Sequence, residues 1–193
     1  MAGALSLALT GSADAETANI AAPQKRLHAR AGGSIHVIGA VRPAAIGVKA
    51  SLQVRRRGAW RTLDRDRTSA TGRYVLRDRA RVPMSAPARV RAAGVVRRVG
   101  RVNVYRWAHA SWYGPGLYGN PLGCGGRLVP GRLGVAHKTL PCGSKVTFRH
   151  RGRTVRVRVI DRGPYVAGRE YDLTEATARR LRFRGHGAIL STR

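Results

Sequence analysis

The chain has 193 residues, with 37 lysines and arginines against 9 aspartates and glutamates, a formal net charge of +28. That length holds one or two small domains, and 43% hydrophobic residues exclude a wholly disordered chain. No run approaches the roughly 20 apolar residues of a membrane span, and the 24 glycines follow no three-residue period, which excludes collagen.

Such a charge directs a protein toward polyanions: nucleic acid, anionic lipid or an anionic cell-wall polymer. It divides as +16 over residues 1–107 and +12 over residues 108–193. It is therefore spread along the chain, and no nucleic-acid recognition motif accompanies it. The scarcity of acid is more informative, because every candidate proton donor can be named: Asp14, Glu16, Asp64, Asp66, Asp78, Asp161, Glu170, Asp172 and Glu175.

Residues 1–15 carry a short apolar run that ends in Ala13-Asp14-Ala15. This is the pattern of a secretory h-region and cleavage site, without the usual basic start. A secreted or envelope location is expected, with residues 16–26 as a linker. Cys124 and Cys142 lie 18 apart, and in an exported chain they are expected to form a disulfide. Two thiols make a poor zinc site even with His137 between them, so no metal and no cofactor are expected.

From residue 27 to 105 the sequence reads as short strands. Val48, Ala50, Leu52 and Val54 alternate with Lys49, Ser51, Gln53 and Arg55. Further strands are expected at Ala59–Leu63, Tyr74–Leu76, Ala88–Val95 and Val99–Val104, with Gly39, Gly47, Gly58 and Gly72 as punctuation. That pattern predicts an antiparallel β-sandwich. The runs Gly39-Ala-Val-Arg-Pro43, Gly58-Ala-Trp-Arg-Thr-Leu63 and Gly72-Arg-Tyr74 resemble immunoglobulin-like modules of bacterial surface proteins, which implies a spacer or wall-binding role.

Residues 106–109 read as a short join, after which Tyr-, Gly- and Pro-rich motifs begin. Lys145–His150 and Arg153–Ile160 form a hairpin pattern turning at Arg151-Gly152. Leu173–Leu181 is the one expected helix, with Thr174 as N-cap, Glu175 in the first turn and Arg179 and Arg180 at the end.

Four motifs in the second half occur in the order of a known family. They are Ala110-Ser-Trp-Tyr-Gly114, Val135-Ala-His-Lys-Thr-Leu-Pro-Cys-Gly143, Val157-Arg-Val-Ile-Asp-Arg-Gly-Pro164 and Gly168-Arg-Glu-Tyr-Asp-Leu-Thr174. Residues 110–193 resemble the rare-lipoprotein-A-like double-psi β-barrel family, related to expansins, barwin-like proteins and some lytic transglycosylases. The resemblance implies a mainly β chain: an Ig-like sandwich followed by a six-stranded barrel with one short helix. It also implies an exported protein acting on cell-wall glycan; a monomer whose partner is peptidoglycan or another anionic wall glycan is expected.

Read from residue type alone, Asp161 and Asp172 suit turn and helix capping, and His137 suits a turn satisfied by backbone. The resemblance instead places Asp172, Asp161 and His137 in a glycan groove, with Asp172 the leading proton-transfer group. It adds Ser111, Trp112, Tyr113, Arg162 and Tyr165 as substrate contacts. The three aromatic residues suit either a sugar-stacking platform or ordinary barrel packing. One departure stands out. Where active bacterial members carry an acidic pair upstream of the histidine, this chain has Gly126 and Val129, neither of which transfers a proton. Three functions follow: a lytic transglycosylase, a non-catalytic expansin-like wall-binding module, or a protein-binding barrel of the protease-inhibitor kind.

Overall fold

The computed structural model describes residues 17–193, so the signal-like segment lies outside the described residues. Nine strands build the first half: β1 (Asn19–Ile20), β2 (Gln24–Arg26), β3 (His28–Arg30), β4 (Ser34–Arg42), β5 (Lys49–Arg56), β6 (Ala59–Arg67), β7 (Arg73–Arg79), β8 (Met84–Ala92) and β9 (Val95–Tyr113). The second half adds β10 (Val135–Ala136), β11 (Lys145–His150), β12 (Arg153–Asp161), β13 (Tyr171–Thr174), helix α1 (Glu175–Leu181) and β14 (Gly187–Ser191).

In the first half, β4 pairs with β1, β2 and β7, while β6, β5, β8 and β9 run in order with β3 on the far side of β9. The alternation read from the sequence buries Ile35, Val37, Leu52, Val54, Tyr74, Leu76, Val90, Val102 and Val104 in one core. Their partners at odd spacing, such as Arg55 and Arg91, face water. Three hairpins turn on the same dipeptide type: Arg57-Gly58, Ala93-Gly94 and Arg151-Gly152, all with positive φ, the requirement of a type I′ turn. The expected linker at 16–26 differs from the structure, since β1 and β2 pair antiparallel with β4.

The expected join at 106–109 is also not a loop. β9 runs unbroken for 19 residues. Its first part pairs with β8 and its last part with β14 and β13. From Arg101 to Tyr113 the sequence holds no glycine or proline, so nothing interrupts the ladder.

Six strands close a ring in the second half, in the order β9, β13, β10, β12, β11, β14 and back to β9. The β9–β13 and β10–β12 pairs are parallel and the others antiparallel. Closure leaves no exposed edge, and Ala110, Val146, Phe148, Val157, Val159, Tyr171, Leu173 and Ile189 fill the interior. Helix α1 starts two residues later than the expected Leu173, because Leu173 and Thr174 belong to β13. Thr174 is its N-cap, and its hydroxyl and that of Thr177 both bond the backbone of Gly134. The helix ends at Leu181 as expected, with Arg182 as its C-cap in the left-handed conformation.

Candidate functional site

The ring brings one row of side chains to the same level of the barrel wall. Ser111 on β9 lies opposite Asp172 on β13, Asp172 opposite Ala136 on β10, and Ala136 opposite Asp161 on β12. Two strand spacings, about 10 Å, therefore separate the Asp172 and Asp161 backbones, with only a methyl group between them. Along β13, Tyr171 and Leu173 are fully buried in the core. Asp172 thus points to the opposite side of the wall, where Ser111 and Asp161 act on it.

That loop, residues 114–134, has little regular structure. Leu122 and Leu128 pack on Ile160, with Tyr113 and Tyr118 beside them. The expected disulfide is present: Cys124 and Cys142 are bonded at 2.01 Å, tying the covering loop to the segment after β10. Its tip delivers the Gly123 N–H to Asp161 Oδ1 at 2.7 Å, and Arg162 N–H donates to the same oxygen at 2.8 Å. Gly123 is required there, because a Cβ would stand 2.8 Å from Arg162 Cγ.

Asp172 is the contrasting carboxyl. Its Oδ1 is buried without a hydrogen-bond partner. Burial pushes its pKa above the usual carboxylate range; nearby Asp161 adds to the rise, while Ser111 and Arg169 oppose it. Ser111 Oγ is also buried and unbonded, so the two are neighbours without a hydrogen bond of normal geometry. Tyr113 stands near both aspartates. Its phenol is pushed up by burial and by the charges of Asp161 and Asp172, so it stays protonated, a donor whose oxygen has no partner.

His137 is brought close through backbone alone: its N–H donates to the Asp161 carbonyl at 3.2 Å. Its ring serves the local turn, where Nδ1 accepts from Thr139 and Leu140 N–H at 3.1 and 3.0 Å. The proton of the neutral ring is thereby assigned to Nε2, which lies 4.0 Å from Glu170. Burial lowers its pKa, with Glu170 opposing and Arg106, Arg162 and Lys138 reinforcing the drop.

Arg162 is committed to the fold. Its guanidinium donates to the carbonyls of His137 and Leu140 and to Cys142 Sγ. The aromatic candidates separate. Tyr113 is part of the aspartate cluster, Trp112 is 37% exposed and Tyr165 is 80% exposed, so the last two are free to meet a ligand.

Two features were not anticipated from the sequence. Arg106 and Glu170 form a two-pronged ion pair across 64 residues, and Tyr118 donates to Glu175. Only the pairing of β9 with β13, itself a long-range event, reveals the first. At the positions of the departed acidic pair, Gly126 has φ +76° beside Arg132, and Val129 is exposed. The loop is braced by arginines: Arg127 donates to the Gly119 carbonyl and Arg132 to that of Arg127.

Residues 107–190 match the family described as lytic transglycolase. A Synechocystis protein described as a probable endolytic peptidoglycan transglycosylase RlpA is 44% identical over 80 residues, covering 40% of this chain and 25% of that protein. The endolytic peptidoglycan transglycosylase RlpA of Campylobacter jejuni is 45% identical over 74 residues, covering 37% of this chain and 27% of that protein. For that of Neisseria meningitidis the identity is 41% over 81 residues, covering 41% and 34%. The chain thus spans about a quarter to a third of these relatives. Among solved structures, the Streptomyces papain inhibitor is 24% identical with a TM-score of 0.37, covering 45% of this chain and 91% of that one.

Proposed function

Because residues 107–190 belong to the RlpA-like double-psi β-barrel family, we propose that this protein binds and remodels peptidoglycan glycan, with Asp172 as its acid–base group. The carrying observation is the half-buried Asp172 carboxyl, whose Oδ1 is buried without a partner, in register with Ser111 and Asp161. Desolvation favours the protonated form of such a group, which a general acid needs.

In a lytic transglycosylase reaction the Asp172 proton passes to the glycosidic oxygen as the C1–O bond breaks. The carboxylate left behind then takes the proton of the sugar's own 6-hydroxyl as that oxygen bonds to C1. The product is a 1,6-anhydro sugar, and no water is consumed. One carboxyl suffices for this, where hydrolysis ordinarily uses two. Asp161, whose Oδ1 is fixed by two N–H donors, lies in the same row and serves to hold sugar hydroxyls, while the protonated Tyr113 backs the two aspartates. Trp112 and Tyr165 offer exposed rings for stacking. The N-terminal sandwich serves as a spacer, and the protein works in the cell envelope as a monomer. Among the described residues no helix is long and apolar enough to cross a membrane.

A second reading is favoured by a specific observation. Gly126 and Val129 leave the covering loop without the family's acidic pair, and arginines brace it instead. A barrel so altered binds glycan without cleaving it. Incubation with purified peptidoglycan separates the two: soluble anhydro-muropeptides by mass spectrometry indicate cleavage, and sedimentation with the insoluble wall without fragments indicates binding alone. Neither fragments nor sedimentation defeats both.

A further inference from the structure

The two halves meet along a seam lined by basic side chains. On β9, Val102 and Val104 point into the sandwich core, so Arg101 and Asn103 project toward the barrel. Asn103 accepts from Ser85 at 2.7 Å, and Ser85 accepts in turn from Thr147 of the barrel at 3.1 Å. Arg156 lies opposite Thr147 on β12.

Beside this contact is a cleft of about 260 Å³ lined by Arg55, Arg56, Arg57, Lys145, Arg156 and Arg193, among others. Among the described residues, no aspartate or glutamate lines it. Behind the lining, on β9, Arg101 carries a buried Nη1 with no hydrogen-bond partner. Partial burial lowers the Arg156 pKa, and the charges of Arg101, Arg158 and Arg193 lower it further. The backbone oxygen of Arg193 is turned to the Tyr171 and Ser191 hydroxyls. Like charges gathered in a cleft with no acidic side chain on its lining repel one another, and an anion bound among them relieves that repulsion.

We infer that the seam between the sandwich and the barrel is a binding site for a phosphate group, held chiefly by Arg156, Lys145 and the Arg55–Arg57 hairpin. Guanidinium groups match phosphate oxygens two at a time. The cleft admits one tetrahedral oxyanion with accompanying water and is open enough for a phosphodiester chain to pass through. It uses none of the residues of the Asp172 row.

Thermal unfolding at fixed ionic strength, with sodium phosphate exchanged for sodium chloride, tests this. Fixed ionic strength holds screening constant. The full chain is compared with the double variant Arg156→Gln/Lys145→Gln, both exposed positions. A matched control, Arg151→Gln/Arg184→Gln, removes the same charge from a distant arginine-lined groove of the barrel. At a hundredfold excess over Kd, phosphate is expected to raise Tm by roughly 5–10 °C in the full chain and the control. In the seam variant that rise is lost. In chloride at low salt, the seam variant is at least as stable as the parent, because repulsion is relieved. A larger rise with a glycerol-phosphate oligomer than with equal inorganic phosphate assigns a phosphodiester polymer as the ligand, and an equal rise assigns free phosphate. No rise in the parent, or the same rise in parent and seam variant, overturns the proposal.

Discussion

Asp172 and Asp161 share one row of the barrel wall, separated only by Ala136, yet their surroundings are opposite. Asp161 Oδ1 takes two backbone N–H donors, whereas Asp172 Oδ1 is buried with none. Two carboxyls in contrasting environments are the arrangement from which acid and positioning roles separate.

The stability consequence has a definite sign. Asp172 has a folded-state pKa raised chiefly by burial, so its ionisation opposes folding. Stability is lost as pH rises from about 3.9, the unfolded value, through the higher folded value. Asp172→Asn is therefore expected to melt above the parent at pH 7. The advantage shrinks to nothing below about pH 3.9, as read by calorimetric scans across pH.

His137 titrates in the other sense. Burial lowers its pKa, so the folded state favours the neutral ring. Stability then falls as pH drops below about 6.5 toward the folded value. Protonating Nδ1 also removes the acceptor for Thr139 and Leu140 N–H. His137→Asn is expected to flatten this part of the pH–Tm curve, and amide exchange at Thr139 and Leu140 is expected to quicken on acidification in the parent only.

The Cys124–Cys142 bond closes a loop of 18 residues, worth about 3 kcal/mol in the chain-entropy description. Urea titration of Cys124→Ser/Cys142→Ser is expected to show a loss of that order. Because the bond holds the loop that brings Gly123 to Asp161, the same variant is expected to lose glycan binding or turnover under conditions where it is still folded.

Thr174 caps α1 and bonds Gly134 in the covering loop. Thr174→Ala is expected to cost roughly 1–2 kcal/mol, and Thr174→Ser to recover most of it. Chemical denaturation of the three proteins side by side reads this directly.

Much of the architecture was legible because it follows local rules. Alternation at Val48–Val54 and across Lys145–Ile160 marked strands, Arg151-Gly152 marked a turn, and Thr174 to Arg180 marked a helix. The disulfide followed from two cysteines in a chain read as exported. What escaped depends on distance along the chain. The unbroken β9 was hidden because composition changes at residue 106 while backbone geometry does not. The Asp172–Asp161 row runs through β10, a strand of two residues, too short for any periodicity. Arg162, a substrate contact by resemblance, proves to hold the His137–Cys142 segment by bonds that only the folded loop supplies.

The most direct measurement of the central claim is mass spectrometry of the soluble products from purified peptidoglycan, comparing the parent with Asp172→Asn at pH 5–7. The predicted result is 1,6-anhydro-muropeptides from the parent, reduced by roughly two to four orders of magnitude in a folded Asp172→Asn protein. Anhydro products formed equally by both proteins, or by neither, contradict the assignment of Asp172 as the acid–base group.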